Sequence, residues 1–142
     1  MTNTTFTYTG KGGIQRKADF LQAAERHLAD AGLLFTEGSW DNSCYHSGYA
    51  TECTVKLVLF LVNSRWHGHL NELIPLLQGS AATYLDPLAF GQMPITAQAT
   101  GWSPEMRYDP SSVLSAQAQS WLTDSRAIFS TTRAKLLANG VL

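Results

Sequence analysis

From Lys17 to Phe35 apolar side chains return every three or four positions, at Ala18, Leu21, Ala24, Leu28, Ala31, Leu34 and Phe35. That repeat lines one face of an α-helix and predicts a first helix. Gly38 and Ser39 interrupt it, and Asp41 offers a carboxylate that can accept from the free backbone donors of a following helix. No proline intervenes from Asp41 to Asn63. Cys44, Gly48, Val55, Val58 and Leu61 follow one side of this second helix, and Tyr45, Tyr49, Glu52 and Lys56 follow another. Groups suited to burial on more than one side make it the expected central helix. Its late run from Val55 to Val62 is β-branched enough to suit a strand, but the helical register upstream and the lack of a turn signal outweigh that.

After a polar break, Asn63 to Gly68, a compact third helix is expected on Leu70, Leu73, Ile74 and Leu77, with Gly79 able to end it. Residues 79 to 107 hold Pro87, Pro94, Pro104, Gly91 and Gly101, which predict a long loop with one helical turn around Ala81 to Leu88. Asp109-Pro110-Ser111 reads as a helix start, because Asp can cap and Pro is tolerated at the first helical position. The helix it opens carries Leu114, Ala118, Trp121, Leu122, Ser125, Ile128, Phe129, Thr132 and Leu136 on one stripe and stops before Asn139-Gly140. The expected architecture is all-α: an up-and-down bundle of four helices, with room for one extra short helix, in a single domain spanning residues 17–142. Residues 1–16, rich in Thr and Gly and without apolar periodicity, are expected to form a flexible arm.

Composition alters this picture in two respects. Hydrophobic residues make up 44% and charged residues only 15%, below the usual charged share of about a quarter. A self-association face, and hence a homodimer, is the natural way to cover such a surface. The net charge of -1 supplies no long-range field to gather a phosphate backbone, so any RNA contact must rest on a local cluster. No apolar run reaches the roughly 20 residues of a membrane span, and Met1 to Thr9 lacks the order of a signal peptide, so a cytoplasmic protein without membrane contact is expected. Cys44 and Cys53, nine positions apart on one helix, lie about 13 Å from each other, too far to bridge. They read as buried thiols.

The string Tyr45-His46-Ser47-Gly48-Tyr49-Ala50-Thr51-Glu52-Cys53-Thr54-Val55-Lys56 resembles the central helix of bacterial HEPN proteins (higher eukaryotes and prokaryotes nucleotide-binding), whose hallmark is G-Y-x-x-E-C-x-x-K. The Ala-rich helix before it, the string Gly68-His69-Leu70-Asn71-Glu72-Leu73 and the segment Ser103-Pro104-Glu105-Met106-Arg107-Tyr108 are similar to family segments in the same order. The resemblance covers residues 17 to 137. It implies a helical bundle that commonly forms homodimers, in a family linked to toxin-antitoxin, defence and RNA-processing systems. A cognate antitoxin or nucleotidyltransferase-like protein, or RNA, is the partner it implies.

Glu52 and Lys56 stand four apart on a largely buried helix, with Glu on the N-terminal side, the favourable order for an intrahelical pair. One reading is a structural ion pair; the other is a polar pocket in which Tyr45, Tyr49, Glu52 and Lys56, with Arg107, bind a nucleotide, an RNA end or a partner side chain. Active HEPN ribonucleases resemble one another in an Arg, four to six intervening residues and then a His, near the start of the last helix, a spacing from which Arg65 and His69 depart. Arg107 occupies a comparable place, but no His follows His69. The substitute is Arg65 with His69, three residues between them, as a catalytic pair for a metal-independent endoribonuclease. The duller view is that Arg65 caps a helix end and His69 begins the next helix.

Other groupings carry less. His67 with His69, or His46 with Cys44, raises a transition-metal site, but no known ligand spacing accompanies them, and no metal or cofactor is expected. Gly10-Lys11-Gly12-Gly13 lacks the strand and spacing of a phosphate loop. His27, among Arg26, Glu25 and Asp30, reads as part of a solvated helix face. Arg126, Arg133 and Lys135 share the last helix and with Arg107 offer a modest basic strip for RNA or an acidic partner, which a solvated helix face explains as well. Trp121 fits the core stripe, whereas Trp66 and Trp102 fall in connections and are expected to anchor a dimer contact or line a groove. The leading expectation is a non-catalytic HEPN-like binding module, with an endoribonuclease and a small-molecule or nucleotide sensor as alternatives.

Overall fold

A computed structural model describes residues 17–62, 68–76, 84, 102 and 113–142. Helix α1 spans Lys17–Thr36, α2 spans Trp40–Val62, α3 is a single turn at Leu70–Leu73 that passes into a 3₁₀ turn at Ile74–Leu76, and α4 spans Ser115–Ala138. All secondary structure among the described residues is helical. Helix α2 packs along both α1 and α4, which also touch each other, and α3 rests on α2.

The first two helices match the periodicity to within a residue at each end, because each end has a local cause. Gly38 adopts φ 81°, in the left-handed region that glycine enters at little cost. Its N–H donates to the Phe35 carbonyl (3.1 Å), and the Ser39 N–H donates to that of Leu34 (2.9 Å), closing α1 with a paired C-terminal motif. Gly140, at φ 70°, closes α4 in the same way, with Gly140 N–H on Leu137 O and Val141 N–H on Leu136 O. The residue ahead of α2 is Ser39, whose carbonyl accepts from the Ser43 N–H, while Asp41 lies inside the first turn. The expected cap at Asp41 is thus displaced two residues upstream, because α2 begins at Trp40.

Two expectations about helix length are corrected. The third helix is one turn because Pro75 supplies no N–H and its ring crowds the carbonyl four residues earlier, so the chain tightens to 3₁₀ at Ile74. Among the described residues the bundle therefore consists of three long helices and this short one. The last helix begins at Ser115, preceded by Leu114 in an extended conformation (φ -82°, ψ 154°) with no side-chain cap, and not at Pro110. Leu114 is in consequence 71% exposed, whereas the rest of its expected stripe, Ala118 through Leu136, is buried. Asp109, Pro110, Leu77, Gly79, residues 1–16 and the loop turn around Ala81 to Leu88, apart from Tyr84, lie outside the described residues.

The core is built on α2, which is buried on several faces as expected. Val55, Leu57, Val58 and Leu59 join Phe20 of α1, Leu70 and Leu73 of α3, and Ala118, Trp121, Ile128 and Leu136 of α4. Phe20, outside the predicted stripe, is 6% exposed and meets the Phe60 ring at 5.9 Å. Small hydroxyl residues bring the helices close and fasten them. Ser43 Oγ donates to the Ala31 carbonyl on α1 (2.8 Å), and Ser125 Oγ on α4 donates to the Ser47 carbonyl (2.8 Å) while sharing a hydrogen bond with Thr51 Oγ1 (2.9 Å). Each satisfies a polar group whose burial alone would cost stability.

Candidate functional site

Among the described residues Glu52 is the one buried charged side chain, with 3% of it exposed. Both carboxylate oxygens are engaged. Lys56 Nζ lies 3.3 Å from Oε2, one helical turn along α2. Oε1 accepts from the Leu70 N–H (3.1 Å) and faces His69 Nδ1 at 3.3 Å. Leu70 is the first residue of α3, so its N–H has no partner within that turn, and the α2 carboxylate supplies one. Glu72 completes the junction: its Oε1 accepts from the His69 N–H at 2.7 Å, half of a capping box. Gly68, at φ 116°, turns the chain into this junction, where an added Cβ would meet the Glu72 carboxylate at 3.1 Å. Glu52 thus pins the start of α3 to the side of α2.

His69 differs from its partners in exposure. Its side chain is 52% exposed while Nδ1 faces a carboxylate that is almost fully buried. A carboxylate on one imidazole nitrogen orients the ring and favours the proton on that side, which leaves the other nitrogen as the lone-pair site.

Tyr45 and Tyr49, upstream on the same helix, enter a second cluster. Their rings meet edge to face at 5.0 Å, and both contact Trp102, Tyr45 at 6.0 Å and Tyr49 at 4.9 Å. Trp102 is 3% exposed and its Nε1–H donates to the Tyr45 carbonyl (2.9 Å). The indole sits directly over Gly48, where an added Cβ would fall 2.1 Å from Trp102 Cδ1. The expectation that Trp102 lines a groove or a dimer contact is therefore corrected: it is a core residue, admitted by the absence of a side chain at Gly48.

His27 also departs from expectation. It is half-buried, stacks on Tyr49 at 4.9 Å with planes 11° apart, and shares a hydrogen bond with His46 between their Nδ1 atoms (3.0 Å). The solvated helix face predicted for it fails because α1 turns this residue toward α2. Burial, the neighbouring His46 and Arg26 lower its pKa from the usual 6.5 to about 4, against the opposing pull of Asp30. His46 is lowered by burial as well. The pairing of His46 with Cys44 is excluded on geometric grounds, since residues two apart on a helix face different sides. Cys44 lies in the core, and burial raises its thiol to about 11 and that of Cys53 to about 12. Both are free, buried thiols, as expected.

Of the seven residues picked from the sequence, the structure joins Glu52, Lys56 and His69 in one cluster and places Tyr45 and Tyr49 in the aromatic one. Arg65 and Arg107 lie outside the described residues, as do His67 and Trp66. On α4, Arg126 and Arg133 are exposed, and the Arg126 guanidinium lies over Gly32 of α1. Among the described residues no three His, Cys, Asp or Glu side chains form a metal-holding group, and no helix is long and apolar enough to cross a membrane.

The helical framework, with the buried Glu52 carboxylate and its partly exposed partner Lys56 on the central helix, defines an all-α fold organised around a charged central helix. A family model described as the HEPN domain matches residues 18–135, most of the chain. The chain belongs to the HEPN domain family. No curated protein and no solved structure gives a match.

Proposed function

We propose that this chain is a non-catalytic HEPN binding module that works as a homodimer and engages a protein partner or RNA, as one component of a defence or toxin-antitoxin pair. One observation carries the non-catalytic part. Glu52, the charged centre of the family motif, is spent inside the fold, its two oxygens shared among Lys56, the Leu70 N–H and His69. A carboxylate so engaged, and only 3% exposed, fixes how α2 and α3 meet and is shielded from an incoming substrate. Family membership supports the binding part. With a net charge of -1, recognition rests on local contacts.

A second reading has an observation in its favour. His69 is half-exposed and oriented through Nδ1 by a buried carboxylate, the arrangement that readies an imidazole for proton transfer. With Arg65 as the phosphate-stabilising cation it would make an endoribonuclease. Incubating the purified chain with total RNA in EDTA, beside a His69→Ala variant, decides between the two. The binding reading expects intact RNA from both proteins, with a partner or RNA retained on purification. Cleavage by the wild type that disappears in the variant refutes it.

A further inference from the structure

The pair formed by His27 and His46 is used by neither reading. One ring comes from α1 and the other from α2, so their separation is set by helix packing. Aromatic neighbours hold both in place. Tyr49 stacks on His27, and Tyr45 stands edge-on to His46 at 5.5 Å with planes 80° apart. Both tyrosines rest on the buried Trp102. The two Nδ1 atoms are thereby fixed 3.0 Å apart.

We propose that His27 and His46 form a two-nitrogen chelate for copper(II) or nickel(II), bound through both Nδ1 atoms with solvent in the remaining positions. The separation selects the metal. With metal–nitrogen bonds of about 2.05 Å, nitrogens 3.0 Å apart subtend an angle of about 94° at the ion. That is the right-angle bite of square-planar or octahedral coordination. Tetrahedral zinc requires about 3.3 Å between the same atoms, wider than the packing of α1 on α2 sets them. Imidazole nitrogen suits copper and nickel, and the general affinity order places copper highest.

The chemistry balances without any further reactant. In the free protein one Nδ1–H donates to the other ring's lone pair. On binding, that proton moves by way of water to Nε2 of its own ring, and both Nδ1 lone pairs turn to the ion. Asp30, one turn beyond His27 on α1, places negative charge within electrostatic reach of both rings, opposed at His27 by the Arg26 guanidinium. With two protein ligands the chelate is weaker than a four-ligand structural site and keeps open positions for an exogenous ligand.

The test is isothermal titration of the EDTA-stripped full chain with copper(II) or nickel(II) at pH 7.5, joined to copper electron paramagnetic resonance that counts bound imidazoles. The expected result is one equivalent bound through two imidazoles, with nickel held more tightly than zinc. His27→Gln and His46→Gln each weaken binding about 100-fold or more, beyond what loss of a merely orienting neighbour does. A His67→Gln/His69→Gln variant, which removes the chain's other two histidines, retains the site. Absence of binding, zinc tighter than nickel, or binding that follows His67 and His69 instead of His27 and His46 overturns the proposal. The imidazole count, taken on the His67→Gln/His69→Gln variant, stands even where His27→Gln or His46→Gln alters folding.

Discussion

Gly48→Ala sets two effects of opposite sign against each other. In an open helix interior, alanine in place of glycine stabilises by about 1 kcal/mol, because glycine carries the larger backbone entropy loss. At position 48 the new Cβ would fall 2.1, 2.3 and 2.4 Å from Cδ1, Nε1 and Cγ of Trp102. Those atoms belong to a rigid ring, so the indole as a whole must leave its seat. Trp102 is 3% exposed and donates to the Tyr45 carbonyl. Evicting a side chain that buries about 150–250 Å² forfeits at most about 4–6 kcal/mol at about 25 cal/mol per Å². Partial reburial elsewhere brings this to about 3–4 kcal/mol. The clash wins, and the net loss is about 2–3 kcal/mol, which lowers the melting temperature by on the order of 10 °C. Thermal unfolding followed by circular dichroism measures it, and a red-shifted tryptophan emission reports the displaced indole. The double mutant cycle with Trp102→Ala isolates the cause: without the indole, Gly48→Ala is neutral or stabilising by about 1 kcal/mol. A Gly48→Ala protein as stable as the wild type, or one equally destabilised in both backgrounds, refutes the reasoning.

Glu52→Ala removes the acceptor of the Leu70 N–H and the partner of Lys56, and it costs about 3–4 kcal/mol. Glu52→Gln keeps an acceptor for that N–H and costs about half as much; urea unfolding ranks the two, and an equal loss contradicts the docking role. His27 makes stability depend on pH with a definite sign. Its folded-state pKa of about 4 lies below the usual 6.5, so between these values the unfolded chain binds more protons and stability falls as pH drops through that window. The ring is partly exposed, so solvent screening limits the effect to on the order of 1 kcal/mol. In EDTA, the urea midpoint of the wild type falls between pH 7 and pH 4.5 by more than that of His27→Gln; parallel curves would count against the assignment.

The amino-acid sequence by itself determined the helices α1 and α2 and the buried stripe of α4, because these depend on the three-to-four-residue recurrence of apolar groups and on Gly38 and Gly140 at the helix ends. It also placed Glu52 and Lys56 together, since residues four apart on a helix are neighbours whatever the fold. Two differences have local causes: Pro75 shortens α3, and Asp109-Pro110 signals a helix start upstream of the one at Ser115. The remainder was decided only by tertiary structure. His27 meets His46, Glu52 meets the Leu70 N–H, and Trp102 meets Gly48 across 19, 18 and 54 residues of chain. No periodicity encodes such meetings. They follow from the angle and depth at which helices settle against one another, which is set by the sum of many packing contacts and not by the pattern along any one segment.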